Sequence, residues 1–167
     1  MVGLDVGCGK NKRAEIGIDR FKFKGVDVVA DMHCLPFRDS TFDKVISNNI
    51  LEHSYNPKML LDEQNRVLKP NGKIEITTDK AQYFSWSVFQ HGFGGERHED
   101  LYPDHYMIFY PKNAIRLMRI AGFKPATITF LQTKTKPTPL IMLLVLLHIF
   151  RKESLFFRFR VEGYKQK

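Results

Sequence analysis

Within the first 31 residues, three short apolar runs each stop at a glycine turn or an aspartate: VGLDV at 2–6, EIGID at 15–19 and VDVVAD at 26–31. Runs this short, bounded this sharply, are strands rather than helices. A fourth, FDKVISNN, occupies 42–49. Residues 57–69, PKMLLDEQNRVLK, then carry Met59, Leu60, Leu61, Val67 and Leu68 at roughly helical spacing. The PNG at 70–72 is expected to stop that helix and turn the chain into a fifth strand, KIEITT. Strands alternating with a helix in this way predict an α/β fold with a parallel sheet and covering helices.

The second half reads less regularly. Residues 80–111 are aromatic and histidine-rich, without clean periodicity. PKNAIRLMRIAGF at 111–123 predicts a helix with a proline at its start and Gly122 just past its end. ATITFLQT follows as a β-branched strand, then the apolar PLIMLLVLLHIF, then FFRFRVEGYK, which alternates like a final strand. The 167 residues fit one domain, with 1–80 as a cofactor-binding half, 81–111 as a substrate or lid region, and 112–167 as its C-terminal part. Cys8 and Cys34 exclude a disulfide framework and show no metal-ligand spacing with a histidine, so no metal site is expected. Nothing at the N-terminus resembles a signal peptide, which makes a cytoplasmic location the expectation. Charge is uneven: residues 1–107 carry 14 Lys/Arg against 16 Asp/Glu, and residues 108–167 carry 12 against 2. The basic third suits an anionic partner or a solvated basic face.

The chemistry concentrates in LDVGCGKNKRAEIGID, residues 4–19. A strand running into Gly7-Cys8-Gly9 brings bare backbone close to a ligand. A carboxylate ending the next strand, Asp19, can accept from both hydroxyls of a ribose. Together they describe an adenosine-containing cofactor across the carboxyl ends of a parallel sheet. NAD fits poorly. Its fingerprint G-x-G-x-x-G meets Lys12 at the sixth position, and its acidic residue lies about 20 residues on, whereas Asp19 follows Gly7 by only 12.

Taken together, LDVGCG, IGID, VVADMHCLPFRDSTFDKVISNNILEH and RVLKPNGKIEITT resemble, in order, the class I S-adenosylmethionine-dependent methyltransferases of the methyltransferase type 11 kind. The resemblance covers about residues 2–80. It implies a Rossmann-like three-layer α/β sandwich around a mostly parallel seven-stranded sheet, its last strand antiparallel. It implies S-adenosyl-L-methionine as cofactor. Asp5 and the Gly7–Cys8–Gly9 turn would face the methionine moiety, and Asp19, with Arg20 beside it, the ribose. Asp31 and Met32 would flank the adenine, with Asp31 near its amino group. Asn48 and Asn49 would border the methionine and the entering acceptor. The chain departs from the family's pattern in two places: the helix between the first two strands shrinks to KNKRAE, and the first strand begins already at Val2.

For the acceptor, SNNI after the fourth strand differs from the N-P-P-Y/F type of exocyclic-amine methyltransferases, which turns the expectation toward a small-molecule or lipid-linked acceptor. Candidate general bases are His105, His98 and His53, with His91 in the same aromatic region. The apolar LIMLLVLLHIF at 140–150 is too short to cross a bilayer. It is expected to be buried on the sheet or in a homodimer interface ahead of contact with a membrane surface. RNA methylation, using the basic third, and a non-catalytic methyltransferase-like scaffold are the rival readings, nucleic acid being the less favoured partner.

Overall fold

The computed structural model describes residues 1–79, 106–107, 109–131, 146 and 158–166. Seven strands form one sheet: β1 (Gly3–Val6), β2 (Ile16–Asp19), β3 (Val28–Val29), β4 (Phe42–Asn48), β5 (Leu68–Asp79), β6 (Phe123–Leu131) and β7 (Arg158–Lys165). Their order is β3-β2-β1-β4-β5-β7-β6. The first five run parallel. Only β7 is reversed, antiparallel to both β5 and β6. The expected seven-stranded Rossmann-like sheet with an antiparallel last strand is therefore present. Because the order runs outward from β1 to β3 and then restarts at β4, a crevice opens at the carboxyl ends of β1 and β4.

Register decides which side chains meet. Leu4 lies between Ile16 and Val45, and Val6 between Ile18 and Ser47. Val45 and Ser47 continue into Ile74 and Ile76, and Ile76 into Val161. With a side-chain period of two, these residues share one face. Among the described residues, two helices cover it: α1 (Pro57–Val67) and α2 (Pro111–Ile120). Leu60, Leu61 and Val67 of α1 and Ala114 and Met118 of α2 complete the buried core. Asn65 of α1 donates from its amide to the carbonyl of Ala121 at 2.8 Å, satisfying an acceptor at the end of α2.

The opposite face of β4, β5 and β7 is charged. Lys44 pairs with Glu75 at 3.0 Å, Arg160 with the same Glu75 at 3.2 Å, and Lys73 with Glu162 at 2.9 Å. Of these pairs, Arg160–Glu75 joins a base of the C-terminal third to a carboxylate of the first half, and Lys73–Glu162 runs the other way.

Helix α1 begins where Asn56 accepts the Met59 N–H at 3.1 Å and Pro57 takes the first helical position. It ends at Val67, before the PNG expected to stop it. Leu68 already pairs with Phe42, and the next pairing is Lys44 with Lys73, so residues 69–72 bulge out of β5. The bulge turns at Asn71, whose φ is 62°. At the other end of the core, α2 closes at Gly122, with φ 82° and its N–H donating to Arg119.

No helix joins β1 to β2. Side chains hold that short connection instead. Glu15 accepts the Gly3 N–H at 2.6 Å, and Lys12 reaches Asp27 at 2.8 Å. Asp27 also accepts the Gly17 N–H at 2.7 Å. Of the apolar run at 140–150, only Leu146 is among the described residues, where it is helical and exposed. Among the described residues, no helix is long and apolar enough to cross a membrane.

Candidate functional site

The carboxyl ends of β1 to β4 gather most of the residues singled out in the sequence. β1 delivers Asp5 and then turns through Gly7 and Gly9, both left-handed at φ 68° and 54°. The Cys8 N–H donates to the Ile18 carbonyl at 2.9 Å, tying the turn to β2. Cys8 itself is buried, and burial, helped by Asp5 and Asp19, pushes its thiol pKa up. That environment suits packing rather than nucleophilic chemistry. A Cβ on Gly7 would run into Ile50, whereas one on Gly9 would meet nothing within 4 Å. Open space therefore lies over the second glycine.

Asp5 is fully buried. Its Oδ2 accepts the Arg13 N–H at 2.7 Å, but its Oδ1 has no hydrogen-bond partner. Burial raises its pKa, against the opposing pull of that amide and of Arg13. A buried carboxylate oxygen left unmatched is a costly feature that a cationic donor would relieve.

Asp19 closes the turn from the next strand. Its Oδ2 accepts the Gly9 N–H at 3.0 Å and its Oδ1 the Phe21 N–H at 2.9 Å. Each oxygen retains a further lone pair for a hydroxyl donor. Arg20 is exposed and lies over the Phe21 ring, 4.9 Å from its centroid.

Asp31 and Met32 follow β3. The Asp31 Oδ1 accepts the His33 backbone N–H at 2.7 Å and meets His33 Nδ1 at 2.8 Å. The backbone donor leads in holding its pKa below the usual carboxylate range. Behind this loop, Arg66 of α1 donates to the carbonyls of Leu35 and Phe37, and to Asp39 and Glu63. Glu63 in turn accepts the Leu35 N–H at 2.8 Å. The segment carrying Asp31 is thus clamped to a helix.

Asn48 ends β4, and Asn49 turns left-handed at φ 55° while its N–H donates to the Thr77 carbonyl at 2.8 Å. A 3-10 turn at Leu51–His53 places His53 half-buried beside this edge. His91, His98 and His105 lie outside the described residues. Three residues here escaped the sequence reading. Glu52 is buried and accepts from Thr78 Oγ1 at 2.7 Å, and its carbonyl accepts the Tyr106 N–H at 2.9 Å. His33 is buried, and its Nε2 meets the buried Ser54 Oγ at 2.7 Å. Asp-x-His at a strand end was the one local signal for His33.

Residues 4–76 match the family model of the methyltransferase domain. An uncharacterised protein of Methanocaldococcus jannaschii is 30% identical over 135 residues, covering 73% of this chain and 64% of the relative. A demethylmenaquinone methyltransferase of Clavibacter sepedonicus is 42% identical over 73 residues, covering 44% of this chain and 26% of its own. The chain therefore spans only part of the relatives it matches. In structure, an S-adenosylmethionine-dependent methyltransferase of Thermotoga maritima, titled a possible histamine N-methyltransferase, superposes with a TM-score of 0.70 at 19% identity. That match covers 99% of this chain and 82% of the other. A glycine turn that leaves open space beside a buried, half-satisfied carboxylate, on a sheet of this order, accompanies those matches: residues 4–76 are similar to the methyltransferase domain, and the sheet has the Rossmann-like fold of S-adenosylmethionine-dependent methyltransferases.

Proposed function

We propose that this protein binds S-adenosylmethionine and transfers its methyl group to a small-molecule or lipid-linked acceptor. The observation that carries this reading is Asp5. A fully buried carboxylate with one unmatched oxygen, next to a left-handed glycine turn with open space over Gly9, fits a ligand bearing an ammonium group. The cofactor supplies a methyl group made electrophilic by a sulfonium.

The chain's own residues bind and orient. Asp5 accepts from the ammonium of the methionine end, and the bare backbone of Gly7 and Gly9 lets that end approach closely. Asp19, fixed by two backbone amides, receives the ribose hydroxyls on its remaining lone pairs. Asp31 takes the adenine amino group, and Met32, half-buried beside it, covers the ring. Asn48 and Asn49 border the acceptor side. Alignment of two reactants supplies most of the acceleration in an in-line displacement. A base is needed only for an acceptor that carries a proton, and His53 is the candidate among the described residues. The hydrophobic acceptor class is supported by the apolar and basic C-terminal third and by the name of the demethylmenaquinone relative.

Calorimetric and thermal-shift titration with S-adenosylhomocysteine tests the reading, with NAD as control. At 100 times its dissociation constant, the ligand should stabilise the fold by about 2.7 kcal/mol, a rise of roughly 5–10 °C for a domain of this size. Asp19→Asn should keep the fold and lose most of that rise. No response in the wild-type protein would sink the proposal.

A further inference from the structure

His33 is a buried ionisable side chain that the reading above leaves without a task. Its environment is unusually complete. Asp31 Oδ1 receives both the backbone N–H of His33 and, at 2.8 Å, its Nδ1. On the far side of the ring, Nε2 lies 2.7 Å from Ser54 Oγ, which also accepts the Asn56 N–H at 3.2 Å. Tyr55 packs against the imidazole with ring centroids 4.0 Å apart.

Asp31 fixes the proton on one side of the ring. Asp31 can only accept, so Nδ1 carries the hydrogen. With the hydrogen at Nδ1, Nε2 faces the Ser54 hydroxyl, which also accepts from Asn56. Ser54 is fully buried, which rules it out as a nucleophile, so the chain of bonds serves position rather than hydrolysis. Asp31 itself sits on an exposed loop after a strand of only two residues, its side chain 62% accessible. Left alone, such a carboxylate would rotate freely. Gripped twice at Oδ1, it presents Oδ2 outward in one orientation.

We propose that His33 is a positioning residue: it locks Asp31 through the His33–Ser54 bridge so that the carboxylate reads the amino group of the cofactor's adenine. The inference rests on the cofactor reading given above. Its consequence is that adenine recognition is tied to the segment just after the 3-10 turn that carries Glu52 and His53, on the acceptor side of the site. A fixed acceptor contributes more to binding than a mobile one, because its ordering cost is already met in the free protein.

The test compares two ligands by calorimetry: S-adenosylhomocysteine and S-inosylhomocysteine, which carries a carbonyl in place of the amino group. Wild-type protein should favour the adenosyl ligand. His33→Ala should weaken that ligand by roughly tenfold while changing the inosyl ligand by less than about twofold, collapsing the preference. His33→Asn, which retains a side-chain N–H near the position of Nδ1, should restore most of the preference even if His33→Ala folds poorly. Ser54→Ala should lower it partially. Equal loss for both ligands, or no loss for either, would mean a merely structural histidine and would overturn the proposal. Wild-type protein that binds neither ligand would overturn the cofactor assignment itself, and this inference with it.

Discussion

Alanine at Gly7 should cost far more stability than alanine at Gly9, although the two residues share a left-handed backbone, with φ 68° and 54°. An L-residue at such an angle costs about 1–2 kcal/mol at either position. The difference lies in what the new methyl meets. At Gly7 it would land on Ile50 Cδ1 and within 2.5 Å of Ile50 Cγ1, while at Gly9 it meets nothing within 4 Å. Ile50 packs against the core, so moving it aside costs a further ~1–3 kcal/mol. Gly7→Ala should therefore destabilise by roughly 2–5 kcal/mol and Gly9→Ala by roughly 1–2 kcal/mol. Urea unfolding followed by circular dichroism reads both. Repeating Gly7→Ala in an Ile50→Ala background should leave only the backbone cost, giving a coupling of about 1–3 kcal/mol. Affinity for S-adenosylhomocysteine should be strongly reduced in Gly9→Ala despite its milder effect on folding, because its methyl projects into the space assigned to the ligand. Equal destabilisation at the two glycines, or no coupling with Ile50, would refute the reasoning.

Two further expectations come from the surroundings of the site. Arg66→Lys should destabilise by on the order of 1–2 kcal/mol, modest because the guanidinium is about a third exposed, since an ammonium cannot serve four partners in a planar fork. Faster amide exchange at Leu35, whose N–H bonds Glu63, is its specific signature, and unchanged exchange would count against the clamp. Toward a thiol reagent, Cys34, exposed, should react at once, and Cys8, buried with its pKa pushed up, only on unfolding. Mass spectrometry showing both modified together in native buffer would contradict the packing role of Cys8.

The first half of the fold was legible because each strand ends where its physics changes. Val6 meets glycine, and Ile18 and Val29 run out at or just before an aspartate. The end of α1 was less legible. Leu68 is fully buried and paired with Phe42 before the chain reaches Pro70, so tertiary packing ends the helix ahead of the local breaker. β3 is shorter than the apolar run at 26–31 suggests, because Asp27 is already committed to Gly17 and Lys12. The residues proposed to face the cofactor could be singled out from sequence because they lie in or just past the carboxyl ends of short strands. His33 and Glu52 could not, because their partners, Ser54 and Thr78, lie 21 and 26 residues away. No local pattern encodes those bonds.

What holds the helix-free connection between β1 and β2 also sets how the fold should respond to acid. In the N-terminal half, Asp5, Glu15, Asp19, Asp27, Asp31 and Asp43 each accept a backbone N–H in or beside a loop or short strand. Carboxylates do the work that a helix would do with its own carbonyls. Four of them have lowered pKa values: Glu15 chiefly through backbone amides, Asp31 through the His33 amide, and Asp27 and Asp43 through Lys12 and Lys69. A lowered pKa means the unfolded chain binds protons first. Their stabilisation is therefore complete above the ordinary carboxylate range, near pH 4, and drains away as pH falls through the folded values. Asp5 has the opposite sign. Its raised pKa makes the folded state the better proton acceptor, so stability should fall as pH rises from about 4 toward its folded value. Urea midpoints measured across this range should then separate the two variants. Asp27→Asn should flatten the acid limb below about pH 4, and Asp5→Asn should remove the decline above it. An Asp5→Asn curve parallel to that of wild type above pH ~4 would mean that Asp5 is already satisfied in the free protein, and the strongest reason for placing an ammonium beside it would be gone.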